Sequence, residues 1–169
     1  EDAALIKYCE ELRVSLAGLS AFGEKLRVLL DTKPGKAAAK RWDYVRKGAP
    51  VIIEVGGRDM EAGVVSLLRR DALWADNGKP DFHNPTREES AQDMPAMLEQ
   101  IQSNLFAEAE AHRDSNITRN ITTMDQLSNF YAENTQYPGW VEVQWSKPTG
   151  TDLETVVEQL KALKLTIRN

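Results

Sequence analysis

The stretch "VIIEVGGRDM" (residues 51–60) decides how this chain is read. Five residues suited to a buried strand run into Gly56-Gly57, followed at once by Arg58 and Asp59. Glycine pairs end strands readily because they reach backbone angles that other residues avoid. In open α/β sheets, ligands gather beyond the carboxyl ends of strands. The turn therefore has two readings: a solvated strand end, or a strand end holding a cation and an anion toward a polar partner. These ten residues leave both open.

Downstream, "GVVSLLRRD" (residues 63–71) reads as a second strand, with Gly56, Gly57 and Gly63 marking the turn between the two. Upstream, "GKAAAKRWDYVRKG" (residues 35–48) reads as a helix stopped by Gly48 and Pro50. "LRVLLD" (residues 26–31), closed by "TKPG", is predicted as a strand. Residues 3–19 place Ala4, Ile6, Tyr8, Cys9, Leu12, Leu16 and Leu19 mostly at steps of three and four, the period of an amphipathic helix. This order predicts an α/β fold, a mixed sheet flanked by helices, with a further strand expected upstream of residue 1.

Residues 72–90, with prolines, a glycine and no period, are predicted as a long loop. Met94, Met97, Leu98, Ile101, Leu105 and Ala109 then keep helical spacing up to Asn116. A small second α/β unit is expected beyond. It has a short helix capped by the Thr123 hydroxyl, an alternating strand "WVEVQW" (residues 140–145) and a helix over residues 151–164. That helix opens with the capping-box pair Thr151 and Glu154, and "LTIR" closes as a strand. The predicted division is 1–116 and 117–169.

The 169 residues are 41% hydrophobic and 28% charged, ordinary values for a globular protein, and no apolar run approaches the roughly 20 residues needed to span a bilayer. Cys9 is the only cysteine, which excludes an intrachain disulfide and a multi-cysteine zinc site and suits a reducing, cytoplasmic setting. Glu1 rather than Met opens the chain, so an upstream part is expected. The net charge of -5 is uneven: residues 24–70 carry eleven Lys and Arg against six Asp and Glu. A basic stretch in an acidic chain suits local contact with phosphates, and equally a solvated helix face.

Catalytic patterns are missing. His83 is expected in a solvated loop and His112 on the packed side of the long helix. There is no phosphate-binding glycine loop of either common kind, and the carboxylate pairs Glu88/Glu89 and Glu108/Glu110 read as solvated charge. The basic segment is more informative: Lys36, Lys40, Arg41, Arg46 and Lys47 surround Trp42 and Tyr44. Cations interleaved with aromatics suit single-stranded RNA, whose unstacked bases lie on aromatic or guanidinium planes. Trp42 and Val45 as core contacts of a helix are the alternative.

The run "KGAPVIIEVGGRDMEAGVVSLLRRD" resembles the anticodon-binding domain of class II aminoacyl-tRNA synthetases, and more narrowly prolyl-tRNA synthetases of the archaeal and eukaryotic type. "TKPGKAAAKRWDYVRKG" stands where that family has its Thr-Pro-Gly helix. "LEQIQSNLFAEAEAHRDSN" (residues 98–116) is similar to its long helix, and the tail resembles its C-terminal domain. The resemblance implies that Arg58 and Asp59 face guanine edges of the anticodon, Arg58 donating to O6 and N7. With the basic segment, the expected RNA-binding set is Lys36, Lys40, Arg41, Trp42, Lys47, Arg58, Asp59, Arg69 and Arg70; no catalytic residue is expected in the chain, and no metal-binding one, because one cysteine and two scattered histidines cannot supply four tetrahedral zinc ligands. The resemblance also implies a tRNA anticodon stem-loop as partner and an upstream class II catalytic domain using ATP and Mg²⁺ to join proline to tRNA. The whole protein would be a cytoplasmic homodimer without membrane association.

Val45 and Ile52 stand where the family has a Glu and a basic residue that help read the anticodon, and "SKPTG" stands where its zinc cysteines would begin. A second reading is therefore kept: a non-catalytic domain derived from a synthetase, docking protein partners through the old anticodon face.

Overall fold

The computed structural model describes residues 2–133, 136 and 138–168. In chain order its elements are α1 (Asp2–Gly18), β1 (Ser20–Ala21), β2 (Glu24–Lys25), α2 (Ala37–Arg46), β3 (Val51–Glu54), α3 (Gly57–Ala62), β4 (Ser66–Arg69), β5 (Phe82–His83), α4 (Arg87–Ser115), β6 (Ile117–Thr118), α5 (Met124–Glu133), β7 (Trp140–Val141) and α6 (Thr151–Ala162). They fall into two compact units, Glu1–Ala107 and Glu108–Asn169, with the division inside α4.

The α/β class expected from the alternating periods is found. In the first unit β3, β4 and β5 form an antiparallel sheet in which Ile52 faces Leu68 and Leu68 faces Phe82. Side chains alternate across a strand, so each strand serves two layers. Val65 and Leu67 join Leu12 and Leu16 of α1 and Met94 of α4 in the core, with Val51, Ile53 and Val55 packed against it. Ile52, Glu54, Leu68 and Phe82 take the other side, where Arg41 of α2 bonds Glu54 and covers the Phe82 ring. Leu67 and Leu68, neighbours in sequence, are both buried because the sheet is covered on both faces. At roughly 2 kcal/mol per buried leucine, this strand is a main stabiliser of the unit.

Several expectations are corrected. Residues 26–31 are not a strand: Leu26 and Val28 pack against the core and Leu29 is exposed, but none of them has a ladder partner among the described residues. The turn after β3 is a helix, α3, whose Gly56 N–H donates to Asp59 Oδ2 at 2.7 Å and which ends on Gly63 at φ 69°. The loop over residues 72–90 contains β5 and the start of α4. Helix α4 begins at Arg87 because Thr86 and Glu89 form a reciprocal cap: the Thr86 N–H donates to Glu89 Oε2 at 2.9 Å and the Glu89 N–H to Thr86 Oγ1 at 3.2 Å. His112 is exposed rather than packed.

In the second unit β6 and β7 pair in parallel, and Thr123 caps α5 as expected, its hydroxyl accepting the Gln126 N–H at 3.2 Å. The strand predicted over residues 140–145 shrinks to Trp140–Val141, and residues 165–168 form none. Thr151 is already helical, Gly150 is the N-cap, and the Thr151–Glu154 capping box is not made. Among the described residues, no helix is long and apolar enough to cross a membrane.

Candidate nucleic-acid interface

Helix α2 and strand β3 are joined through Gly48 and Pro50 and run antiparallel, so the start of α2 lies beside the carboxyl end of β3. Ten helical residues and four strand residues are each about 13–15 Å long, which spreads the nine expected RNA contacts between two ends.

At the carboxyl end of β3 stand Lys36, Lys40, Arg41, Arg58 and Asp59, while Trp42, midway along α2, meets Trp74 of the hairpin that follows β4. Arg58, the second residue of α3, is exposed and has no hydrogen-bond or ion-pair partner among the described residues. Asp59, next to it, has Oδ2 committed to the Gly56 N–H, which leaves Oδ1 without a hydrogen bond among the described residues. Lys36 sits at the N-cap of α2, exposed and without a side-chain cap bond. Lys40 folds back: its ammonium lies 3.1 Å from Asp31 Oδ1 and donates to the Lys33 carbonyl, pinning the "DTKPGK" segment to α2. The Asp31 carboxyl is held below its ordinary range, chiefly by the Lys33 backbone N–H and then by Lys40, and it also accepts from the Tyr44 hydroxyl at 3.2 Å.

Arg41 makes a two-pronged bond to Glu54, at 2.7 and 3.1 Å, with its side chain only 12% exposed. Such charge-assisted forks are strong and geometrically fixed. Trp42 is half-buried and stacks on Trp74, ring centroids 4.8 Å apart and planes 20° apart.

At the other end of β3 stand Lys47, Arg69 and Arg70. Arg69 lies on the α4 side of the sheet, gripping Asp71 at 2.7 and 3.0 Å and donating to Gln100 Oε1 at 3.3 Å. The Asp71 carboxylate, 3% exposed, also accepts from Asn104 at 2.7 Å, and Arg69 above all holds its carboxyl below the ordinary range. Arg70 turns to the opposite, α2 side, where its guanidinium approaches Gly48 and has no charged partner among the described residues. Lys47 pairs with Asp43 at 2.5 Å on the surface.

Magnitudes separate these cations. An exposed pair such as Lys47–Asp43 is worth at most about 1 kcal/mol, so a phosphate can replace the carboxylate. Removing the partner of a buried pair costs about 3–5 kcal/mol, so Arg69 stays with Asp71. The side chains left to meet an anionic or polar partner are Lys36, Arg58, Arg70 and the exchangeable Lys47. Sequence reasoning missed Trp74, which it placed in an unstructured loop; "ALW" before "ADNGKP" offers a hairpin signal in Asn77-Gly78 but none that would seat the ring on α2.

Residues 2–79 match the family described as "Anticodon binding domain". Along its whole length the chain is 58% identical to a proline–tRNA ligase of Erythrobacter litoralis, and over 99% of its length 55% identical to that of Novosphingobium aromaticivorans, covering 33% of each. The chain thus spans about a third of the length of the curated relatives it matches. Among solved structures it resembles the prolyl-tRNA synthetase of Cryptosporidium parvum complexed with L-proline and AMP. The TM-score is 0.70 and the identity 22%, over 92% of this chain and 29% of that one.

Proposed function

We propose, on the premise that the chain carries an anticodon-binding domain of the proline–tRNA ligase kind, that it holds the anticodon loop of a proline-accepting tRNA for an enzyme that joins proline to that tRNA. The observation that carries the reading is Arg58: an unpaired guanidinium at the head of α3, just past the carboxyl end of the half-buried strand β3. A planar fork of donors there matches the O6 and N7 acceptors of guanine, and the free Asp59 oxygen can accept from guanine N–H groups. Lys36, Arg70 and Lys47 supply charge for phosphates, which position the RNA without reading it.

Proline activation with ATP and Mg²⁺ belongs, in this reading, to a catalytic domain outside the chain. Among the described residues no three acidic, His or Cys side chains gather as a metal site. The further assignment is to the archaeal and eukaryotic type, acting in the cytoplasm as a homodimer. The type is supported by the "KGAPVIIEV" and "GVVSLLRRD" patterns. The two relatives named are nevertheless ligases of Erythrobacter and Novosphingobium, so the type would here occur outside archaea and eukaryotes.

The test is a salt titration of the full protein with a proline tRNA and an unrelated tRNA. With Lys36, Lys47 and Arg70 on phosphates, the logarithm of affinity for the single-stranded loop should fall with log salt at a slope of roughly -2. The proline tRNA should keep its advantage at every salt. Equal affinity for the two tRNAs would count against the reading.

A further inference from the structure

The segment between β4 and β5 is a tight hairpin. The Ala75 N–H donates to the Lys79 carbonyl and the Gly78 N–H to the Ala75 carbonyl, both at 2.9 Å, and Trp74 bridges to Pro80. Asp81 N–H closes it on the Leu73 carbonyl at 3.1 Å. Trp74 is therefore held in a fixed place. One face of its indole lies on Trp42, yet the residue remains 58% exposed.

We propose that the open face of Trp74 is a stacking platform for one unpaired base of the bound RNA. The proposal rests on the RNA-binding reading above and adds a contact to it. Three observations select a nucleobase as occupant. The Trp42–Trp74 pair is already a two-ring stack that a third flat ring extends without rearrangement, and every base has a π face to offer. The platform stands on α2, whose start carries the exposed Lys36 and whose end carries the exchangeable Lys47, cations suited to a phosphate backbone. The hairpin follows Arg69, the ladder partner of Val51, so the platform rises from the end of the sheet that carries the uncommitted Arg70 and the exchangeable Lys47.

The experiment compares Trp74→Ala, Trp74→Phe and Trp74→Leu in the full protein. Binding is measured to a proline-tRNA anticodon stem-loop and to the same stem closed as a blunt duplex, with tryptophan fluorescence as second readout. Loss of a base–aromatic stack should weaken stem-loop binding about tenfold in Trp74→Ala and Trp74→Leu, while Trp74→Phe stays within about threefold of wild type. Duplex binding should not change. RNA should quench the wild-type fluorescence, and Trp74→Leu should lose that quenching. Trp74→Leu keeps bulk in the hairpin but no ring, so wild-type binding by it overturns the proposal. If Arg58→Ala weakens stem-loop binding while all Trp74 variants bind normally, the platform falls and the anticodon reading stands. If wild type binds no stem-loop, both fall. Quenching by a protein fragment instead of RNA would reassign the platform to a protein partner.

Discussion

Asp71 shows how one residue decides what its neighbours can do. Its carboxylate is almost fully enclosed by Arg69 and Asn104 and takes Arg69 out of the set available to RNA. Asp71→Ala should cost about 3 kcal/mol of stability at neutral pH, because it leaves a largely enclosed guanidinium without its partner. Asp71 has a depressed carboxyl pKa in the folded state. Its contribution is thus fully present above the unfolded value of about 3.9 and lost as pH falls through the lower folded value. Denaturant midpoints of wild type and Asp71→Ala should accordingly converge below about pH 4; a gap unchanged there would contradict the assignment. The sequence made Arg58 legible, since an Arg following two glycines at a strand end is open to solvent in either reading. It left Arg69 and Arg70 indistinguishable, because which of two adjacent side chains turns to α4 depends on a pairing register that the two residues do not carry.

Among elements, α4 and the β6–β7 pair were the hardest to read. The pattern Thr86-x-x-Glu89 was visible in "TREE", but Pro95 sits in the helix interior, where a proline removes a backbone hydrogen bond and argues against a helix running through it. Strands of two residues, such as β5 and β6, are too short for any period to register. Thr86→Ala should cost roughly 1 kcal/mol, the usual worth of an N-cap, read as a lowered midpoint in thermal unfolding; no change would mean the cap is idle. Gly139 sits at φ 79°, and a Cβ there would lie 2.3 Å from the Asn116 carbonyl oxygen. Gly139→Ala should therefore destabilise the second unit by roughly 2 kcal/mol or more. Amide exchange at Trp140 and Glu142, which donate to the Asn116 and Thr118 carbonyls, should accelerate. Unchanged protection at both would contradict that packing.

For the whole molecule, the residue patterns carried the fold class and the kind of partner, while the distribution of charge did not. Nine RNA contacts were expected; the structure spreads them between the two ends of β3 and binds Lys40, Arg41 and Arg69 into ion pairs of the fold's own. What remains is sparse: in the proposed reading Arg58 meets a base while Lys36, Lys47 and Arg70 meet phosphates. The most direct measurement is the affinity of wild type and Arg58→Ala for anticodon stem-loops with their guanines kept or replaced. The account predicts that wild type prefers the guanine-bearing loop, and that Arg58→Ala loses roughly 1–3 kcal/mol on it and nothing on the replaced loop. Equal affinity of wild type for the two loops, or an equal loss on both in Arg58→Ala, would contradict it.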